Sequence, residues 1–439
     1  MYFRGGWRRG VAVLAGLAAF VLVLAAPALV PGPLPENSAK NTFENTAEST
    51  PEPAPSAVPE AAAAATAAPA SSAQLAYRAV WVSYLEWQRM DFSSAEAFGA
   101  EAAAMLDNIA GLGANVVLAQ VRPFGDALYP SALYPFSHLA TGTQGEDPGF
   151  DPLAILVEQA HARGLELEAW VNPYRLQAGG TPAALAETNL ANTRPDWVKP
   201  AGGGLYLDPA SPDVRRYIAD GVAELCENYA IDGIHMDDYF YPTTDKAFDA
   251  ADYAAYCEGT GAPLPLDDWR RENVDALVEA CRAVTRAAGV RFGIAPQGQP
   301  ALCYGAQYSD AAGWLAEGLV DILMPQLYWG RDYTADGDNS LALDTLAAEW
   351  LAMDRAPGVS LCFGLGAYRI GEGDGGDRTG PGTEWLSGHA LADQAEALAA
   401  LGADGVGLYR YDSLFANDLY PTFAAQEAQA LRGLAAPPP

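Results

Sequence analysis

Residues 232–242 read DGIHMDDYFYP, a stretch in which three aspartates and one histidine lie among apolar and aromatic side chains. Its first half has the composition of a buried β-strand, where a charged group is rare unless it has a partner or a function. Successive side chains of a strand point to opposite faces, so His235 and Asp237 share one face while Met236 and Asp238 share the other. The stretch therefore predicts a carboxylate at the end of a buried strand.

Seven further segments have the same strand-like character and alternate with helical segments rich in Ala, Leu and Glu. Together with 232–239, the predicted strands are 77–85, 114–123, 165–175, 290–298, 321–329, 359–368 and 405–413. Eight strands that alternate with helices predict an α/β fold of the (β/α)8 TIM-barrel type. A doubly wound open sheet is the main alternative, but no glycine-rich dinucleotide turn follows the first strand.

Two long insertions, 176–204 and 240–268, follow the third and fourth predicted strands. In a barrel these segments are βα loops, which build the active site at the C-terminal ends of the strands. If Ile234 faces the surrounding helices, Asp237 faces the interior near that end. Asp232 stands at the start of the same strand, and we predict that it is a turn or cap residue.

The ends of the chain differ in composition from its centre. Residues 1–30 contain three arginines followed by twenty uncharged residues, which predicts a signal peptide or an N-terminal membrane anchor. Residues 31–74 are rich in Pro, Ala and Glu and predict a disordered linker, and 433–439 predict a disordered tail. We therefore expect 75–432 to be an extracellular or cell-envelope barrel, either secreted or tethered to the plasma membrane.

The charge balance restricts the class of partner. The chain has 25 basic and 55 acidic residues, a net charge of −30, which argues against binding to nucleic acid or to anionic lipid surfaces. A neutral or cationic polymer is a better partner, and we predict a polysaccharide or glycan strand. The five cysteines are scattered, without the spacing of a zinc cluster or a disulfide framework. The sequence leaves the oligomeric state open.

The predicted strands change in the same way along their length, because each starts apolar and becomes polar and aromatic at its end. Sugar ligands need short polar groups for orientation and aromatic faces for stacking, so this gradient is typical of a sugar-binding mouth. The predicted substrate-binding residues are Arg122, Trp170, Asn172, Tyr174, His235, Asp238, Tyr239, Gln297, Gln326, Tyr328, Trp329 and Tyr411.

Glycoside hydrolysis normally requires two carboxyl groups on either side of the scissile bond. Asp237 is the predicted catalytic carboxylate, although a structural salt-bridge node and a metal site remain alternatives for this stretch. The second carboxylate is open among Glu86, Asp126, Asp412 and the acidic loop that follows the seventh strand, and we prefer Asp126. Arg122 could pair with Asp126 or hold a catalytic carboxylate ionised. With four histidines in the chain, we predict no metal and no cofactor.

These motifs resemble those of the glycosyl-hydrolase-like family 10 barrels of exported bacterial proteins. The segments that carry the resemblance are RAVWVSYL, NVVLAQVRPFGDALYPS, EAWVNPYR, GIHMDDYFYP, FGIAPQG, DILMPQLYW and GVGLYRYDSL, in that order. The resemblance implies a TIM barrel and a glycosidase, and some members of the family are thought to cleave denuded peptidoglycan strands. One departure is FGIAPQGQP, where a sequence of the Ser-Pro-Phe-Gly type is expected.

The sequence thus predicts an exported glycoside hydrolase that cleaves O-glycosidic bonds in a cell-wall or extracellular glycan, with denuded peptidoglycan strands as one candidate. A rival interpretation is a non-catalytic glycan-binding barrel, because the second carboxylate is not evident. A metal-dependent polysaccharide hydrolase or deacetylase is the third interpretation, and it would require a metal at His235 and Asp237.

Overall fold

The computed structural model describes residues 75–380 and 382–432. The predicted signal peptide or anchor (1–30), the linker (31–74) and the C-terminal tail (433–439) lie outside these residues. Within 75–380 and 382–432, no helix has the length and apolar character required to cross a membrane. All five cysteines are free thiols.

The described residues form twelve strands, fourteen α-helices and three short 3-10 helices. The strands are β1 Tyr77–Val82, β2 Val116–Arg122, β3 Glu166–Val171, β4 Arg175–Gln177, β5 Val198–Ala201, β6 Gly204–Leu207, β7 Gly233–Met236, β8 Arg291–Ile294, β9 Ile322–Leu323, β10 Gln326–Leu327, β11 Ser360–Gly366 and β12 Gly405–Tyr409. The α-helices are α1 Tyr84–Trp87, α2 Ala95–Gly111, α3 His138–Thr141, α4 Pro152–His161, α5 Leu190–Thr193, α6 Pro212–Asn228, α7 Ala250–Gly259, α8 Leu266–Ala288, α9 Pro300–Ala306, α10 Ala311–Glu317, α11 Leu343–Leu351, α12 Ala390–Leu401, α13 Tyr411–Phe415 and α14 Pro421–Leu431. The 3-10 helices are Pro195–Trp197, Ala367–Arg369 and Glu384–Leu386.

One parallel sheet forms the barrel. Its strands follow the order β10-β11-β12-β1-β2-β3-β7-β8-β9, and an additional pairing of β11 with β9 closes the ring. The sixth barrel strand consists of β9 and β10, which are interrupted at Met324 and Pro325, where proline has no N–H for the ladder. Eight parallel barrel strands with flanking helices make a TIM barrel, so the predicted fold class is confirmed.

Alternation along the strands divides the core into two layers. Ile234 and Met236 of β7 lie in the large apolar layer between the barrel and the helices. The barrel interior holds a second apolar cluster that includes Trp81 and Trp170. His235 contacts both of these indole rings edge to face, so it faces the interior as predicted.

Asp232, predicted to be a turn or cap residue, lies at the opposite end of β7 and bonds to the neighbouring strand instead. Its Oδ2 accepts the backbone N–H of Leu167 at 2.8 Å and lies 2.9 Å from Nε2 of His161. It therefore joins the start of the fourth barrel strand to its neighbours and lies far along the barrel from the mouth.

Two insertions extend the fold on the side where the strands end. After β3 the chain forms a three-stranded antiparallel sheet in the order β4-β6-β5, and after β7 it forms α7 before entering α8. A register shift between Gln120 and Arg122 marks a bulge in β2. Gln120 continues the inward alternation of Val116 and Leu118, whereas the bulge turns Arg122 to the outer face of the strand.

Candidate active site

Asp237 follows the last residue of β7 and is almost completely buried, with 5% of its surface exposed. Its Oδ2 accepts N–H groups from Asn172 Nδ2 at 2.6 Å and from Trp170 Nε1 at 3.2 Å. Its Oδ1 accepts the backbone N–H of Tyr239 at 3.1 Å. Burial, followed by the charge of adjacent Asp238, raises the pKa of Asp237 to about 7. A carboxyl group with such a pKa is suited to donate a proton near neutral pH.

Asp238 has a different set of donors, all from side-chain amides. Gln297 Nε2 donates to Oδ2 at 2.6 Å and Gln307 Nε2 donates to the same oxygen at 3.0 Å, while Gln326 Nε2 donates to Oδ1 at 3.1 Å. Three N–H donors stabilise negative charge on this carboxylate. The predicted site residues Asp238, Gln297 and Gln326 therefore meet at one place, beside Asp237.

Asn172 is held in one orientation by two donors. Its Oδ1 accepts Gln120 Nε2 at 2.6 Å and Arg175 Nη2 at 3.1 Å, which leaves Nδ2 to donate to Asp237. Gln120 is itself fixed because its Oε1 accepts the backbone N–H of Tyr84 at 2.7 Å. The amides of β2 and the end of β3 thus form a chain of hydrogen bonds that ends on the buried carboxyl group.

Aromatic side chains build one wall of the mouth. Tyr328 and Tyr409 are stacked with ring centroids 5.6 Å apart, and Tyr368 meets both rings edge to face. Tyr328 was predicted as a site residue, and the charges of Asp238 and Asp237 contribute to its raised pKa after burial itself. Tyr328 lies two residues after Gln326, which donates to Asp238, so the wall stands beside the carboxylate pair.

Tyr239 is the exposed aromatic side chain closest in sequence to the carboxylate pair, with 47% of its surface exposed. The guanidinium of Arg175 lies 5.3 Å from its ring centroid. A ring in this position has an exposed surface on which a sugar can stack, next to the acid.

Below the mouth, His235 is buried without any exposed surface. Its Nε2 accepts the indole N–H of Trp81 at 3.1 Å, and burial lowers its pKa to about 3. The neutral ring therefore carries its proton on Nδ1, which lies 4.0 Å from Oε2 of Glu168. His235 supports the indoles of the interior and does not reach a ligand at the mouth, which corrects its predicted role as a substrate-binding residue.

Two of the predicted substrate-binding residues point away from the barrel interior. The bulge in β2 turns Arg122 toward α6, where its guanidinium lies 4.4 Å from the ring centroid of Tyr134. A Cβ on Gly221 of α6 would come within 2.5 Å of Arg122 Nη1, so the helix covers this arginine. Tyr174 follows the end of β3 and is buried in the apolar layer between barrel and helices. Neither side chain can contact a substrate in this arrangement.

Two further predicted residues lie at the edge of the barrel. Trp329 packs against the outer apolar layer and meets Tyr333 edge to face. Tyr411 belongs to α13, where it stacks on Phe415 and accepts a hydrogen bond from Asn108 of α2 at 2.8 Å. The structure does not bring either ring to the carboxylate pair.

Asp126, the preferred second carboxylate, is completely buried in the loop after β2. Its Oδ2 lies 3.1 Å from His138 Nδ1 and accepts Gln144 Nε2 at 3.1 Å. The residue thus organises its own loop and has no exposed surface, whereas Asp237 keeps 5%. Its role as the second catalytic carboxylate stays a prediction, and Asp238 is the carboxylate next to Asp237 in the sequence.

The remaining candidates for the second carboxylate also have structural partners. Glu86 caps α1 through Ser83 and pairs with Arg410, and Asp412 pairs with Arg89 and Arg410. In the acidic loop after β11, Asp374 accepts the backbone N–H of Gly330 and Asp377 accepts those of Asp336 and Gly337. Among residues 75–380 and 382–432, no group of three or more His, Cys, Asp and Glu side chains is placed to hold a metal ion.

Sequence reasoning missed Gln120, Arg175, Gln307 and Tyr409. Gln120 follows the inward-facing Val116 and Leu118 with the period of two, so the alternation of β2 was a signal that could have found it. Gln307 lies 69 positions after Asp238, in the loop after α9, and no local pattern connects the two. Arg175 and Tyr409 stand at strand ends within the predicted mouth, so the polar gradient was a signal that could have found them.

Comparison with known proteins identifies the family of the chain. The family model described as Glycosyl hydrolase-like 10 matches residues 76–378. The glycosyl hydrolase YngK of Bacillus subtilis strain 168 is 38% identical over 315 residues, which cover 67% of this chain and 61% of YngK. The glycosyl hydrolase DigH of Escherichia coli strain K12 is 34% identical over 292 residues, which cover 61% of this chain and 65% of DigH. The chain therefore spans less than two thirds of the length of either relative.

A solved structure shares the fold. The glycoside hydrolase domain of PgaB (BpsB) from Bordetella bronchiseptica superposes with a TM-score of 0.54 at 18% identity, covering 82% of this chain and 99% of that domain. Because the family model matches most of the barrel, the chain belongs to the glycosyl hydrolase-like 10 family.

Proposed function

We propose that this member of the glycosyl hydrolase-like 10 family is an exported glycoside hydrolase that cleaves O-glycosidic bonds within a cell-envelope or extracellular glycan. The observation that carries the proposal is the adjacent pair of carboxyl groups at the end of β7. One of them, Asp237, has a pKa raised to about 7 by burial and by its neighbour. The other, Asp238, accepts three amide N–H groups.

Asp237 is the general acid in this proposal. Both N–H groups from Asn172 and Trp170 reach its Oδ2, so the acidic proton is placed on Oδ1, where one backbone N–H donates at 3.1 Å. Donation of this proton to the glycosidic oxygen breaks its bond to the anomeric carbon, so that the leaving sugar departs as a neutral alcohol; water then adds to the anomeric carbon and its proton returns to the Asp237 carboxylate. Until that return, the charge left on Asp237 is stabilised by all three donors.

Asp238 is the second carboxylate in this proposal. The transition state of glycoside hydrolysis resembles an oxocarbenium ion, and a fixed negative charge beside the anomeric carbon stabilises it. The three glutamine donors hold the Asp238 carboxylate in place, which reduces the reorganisation needed during the reaction. The two adjacent aspartates thus have different roles: Asp237 donates the proton, and the Asp238 carboxylate stabilises the positive charge of the transition state.

Sugar binding is assigned to the aromatic residues around the pair. Tyr239 offers an exposed ring beside Asp237, and the stacked Tyr328 and Tyr409 form the facing wall. Aromatic faces of this kind pack against the C–H faces of sugar rings, while the amides bind hydroxyl groups.

Denuded peptidoglycan strands are the proposed substrate within this class. The family resemblance supports this choice, and the predicted N-terminal signal or anchor would deliver the barrel to the compartment where such strands lie.

A panel of purified glycans tests the proposal. The full chain is incubated with peptide-free peptidoglycan strands, intact peptidoglycan, chitin and an α-glucan, and new reducing ends are counted while the products are identified by mass spectrometry. We expect cleavage of the peptide-free strands. If the strands bind but no glycan is cleaved, the barrel is a non-catalytic glycan-binding protein and the proposal fails.

A further inference from the structure

Gln120 is a buried member of the amide chain at the mouth and has no part in the proposed catalytic steps. The side chain is 1% exposed and comes from β2, on the inner side of the bulge that turns Arg122 outward. Both of its polar atoms are used, because Oε1 accepts Tyr84 N–H at 2.7 Å and Nε2 donates to Asn172 Oδ1 at 2.6 Å.

The direction of these bonds determines how the Asn172 amide is oriented. An asparagine amide can rotate by half a turn and exchange its donor and acceptor. The N–H of Gln120 requires an acceptor at the near atom of Asn172, so the Asn172 oxygen must face Gln120 and its nitrogen must face Asp237. In the reversed orientation two donors would meet at one end and two oxygens at the other.

We propose that Gln120 is a positioning residue that fixes the Asn172 amide in its donating orientation and thereby sets the proton affinity of Asp237. The inference rests on the proposed function in one respect, since it takes Asp237 to be the catalytic acid. Gln120 does not touch the reacting atoms, because one asparagine side chain stands between it and Asp237.

Several other groups face Asp237 and contribute to its proton affinity. Asp238 favours the protonated form, while Arg175 favours the ionised form. Tyr239, Tyr328 and Tyr409 also face the aspartate. None of these groups is hydrogen-bonded to Gln120, but Arg175 Nη2 shares the acceptor Asn172 Oδ1 with it at 3.1 Å. A change in the pKa of Asp237 therefore reports on what Gln120 adds to the hold that Arg175 already has on the Asn172 amide.

Two substitutions separate the lost donor from other effects. Gln120→Glu keeps the acceptor for Tyr84 N–H but removes the donor to Asn172, and Gln120→Leu removes both without adding charge. The matched control is Gln394→Leu, because Gln394 is also completely buried and also donates one side-chain hydrogen bond, to Glu384 at 2.7 Å, in a different part of the barrel.

The pKa of Asp237 is measured by carbon-13 NMR titration of aspartate-labelled full chain without any glycan, with Asp237→Asn used to assign the resonance. We expect both Gln120 variants to raise the pKa by about 0.5 to 1, because the ionised form loses a well-oriented donor. The Gln394→Leu protein should match the wild type. This titration needs no turnover, so it tests the positioning role even if the proposed hydrolase activity fails.

Kinetics and a double-mutant cycle complete the test. On a cleavable glycan, we expect kcat to fall by about tenfold with little change in KM, and the basic limb of the pH profile to move upward with the pKa. In an Asn172→Ala background, Gln120→Leu should cause no additional change in the pKa of Asp237, because the two residues act in series.

Three results would overturn the positioning role. One is an unchanged pKa in a folded Gln120→Leu protein. Another is a change in Gln120→Glu alone, which would assign the effect to the added charge. The third is full additivity with Asn172→Ala, which would mean that Gln120 acts on Asp237 by a separate route.

Discussion

The two ends of the barrel interior each hold a buried carboxyl group whose pKa is raised to about 7, Asp237 at the mouth and Glu168 on β3 near the floor. At the mouth, each oxygen of Asp237 accepts at least one N–H. At the floor, Arg291 lies 3.1 Å from Oε1 of Glu168, while Oε2 has no hydrogen-bond partner within the described part of the chain. A raised pKa alone therefore does not identify a catalytic acid.

Glu168 and Asp237 differ in their access to solvent and in the hydrogen-bond donors that can stabilise their negative charge. Glu168 has no exposed surface and faces the equally buried His235 across 4.0 Å. Asp237 lies beside the exposed ring of Tyr239 and beside a second carboxylate. Glu168 is buried with one oxygen that has no hydrogen-bond partner within the described residues. Asp237 already has three N–H donors, which stabilise the negative charge that forms when it loses its proton. This difference predicts that substitution of Asp237 lowers the catalytic rate, whereas substitution of Glu168 changes the stability of the fold.

The largest expected effect is on activity at the mouth. Asp237→Asn removes the transferable proton but keeps the shape of the side chain, so we expect kcat to fall by about a thousandfold with the fold retained. Initial rates on the glycan cleaved by the wild type measure the change. The control is Asp354→Asn, an exposed aspartate before β11, which should keep full activity. Undiminished cleavage by a folded Asp237→Asn protein would contradict the assignment.

At the floor, we expect Glu168 to affect the free energy of unfolding and not the rate of catalysis. The pKa of Glu168 rises from 4.5 to about 7 on folding because of burial, so the unfolded chain releases this proton at a lower pH than the folded chain. The contribution of Glu168 to the free energy of unfolding is therefore fully present below pH 4.5. It decreases by up to about 3 kcal/mol as the pH rises to 7 and then levels off.

Glu168→Gln removes this titration. Urea unfolding at pH 5 and pH 8, followed by tryptophan fluorescence, should show a smaller loss of stability with rising pH in the variant than in the wild type. Glu349→Gln, at an exposed position of α11, should keep the wild-type dependence. Equal pH dependence in all three proteins would mean that Glu168 does not titrate as a buried acid.

A comparison of β7 with β2 shows how much the sequence could predict. In β7, regular alternation and apolar neighbours placed Ile234, His235 and Met236 correctly, because the inner and outer faces of a barrel strand follow the period of two. In β2, the same alternation holds as far as Gln120, because Val116 and Leu118 face the interior and Val117, Ala119 and Val121 face the helices. The bulge after Gln120 turns Arg122 to the outer face. Both residues are polar, so the pattern of apolar residues does not indicate where the alternation ends.

Residues beyond the ends of the strands were harder to predict for the same reason. Tyr174 lies three residues past Val171, the last residue of β3, where the period of two no longer applies, and it packs outward. Gln307 comes from a distant loop to donate to Asp238. The fold depends on short-range patterns that are visible in a single sequence. The residues that hold the carboxylates in place, such as Gln307, depend on the paths of loops, which a single sequence does not show.

The pH profile of catalysis sharpens the contrast between the two acids. Asp237 must be protonated to act as the acid, and its pKa is about 7, so kcat/KM should fall about tenfold for each pH unit above this value. The basic limb should stay in place in Glu168→Gln, because the floor group does not transfer a proton. A limb that moved in Glu168→Gln would show that the two ends of the barrel are electrostatically connected.

The smallest expected effect concerns sugar stacking at the mouth. Tyr239 and Tyr304 have equal exposure of 47%, but the guanidinium of Arg271 lies 3.8 Å from the ring centroid of Tyr304, on α9. Tyr239→Ala should raise KM by about fivefold with little change in kcat, because an exposed aromatic contact contributes about 1 kcal/mol to binding. Tyr304→Ala should leave KM within about twofold of the wild type, because within the described residues its ring packs on Arg271 of α8 and not on the carboxylate pair or the aromatic wall. Equal effects of the two substitutions on KM would show that stacking depends on exposure and not on the position beside Asp237.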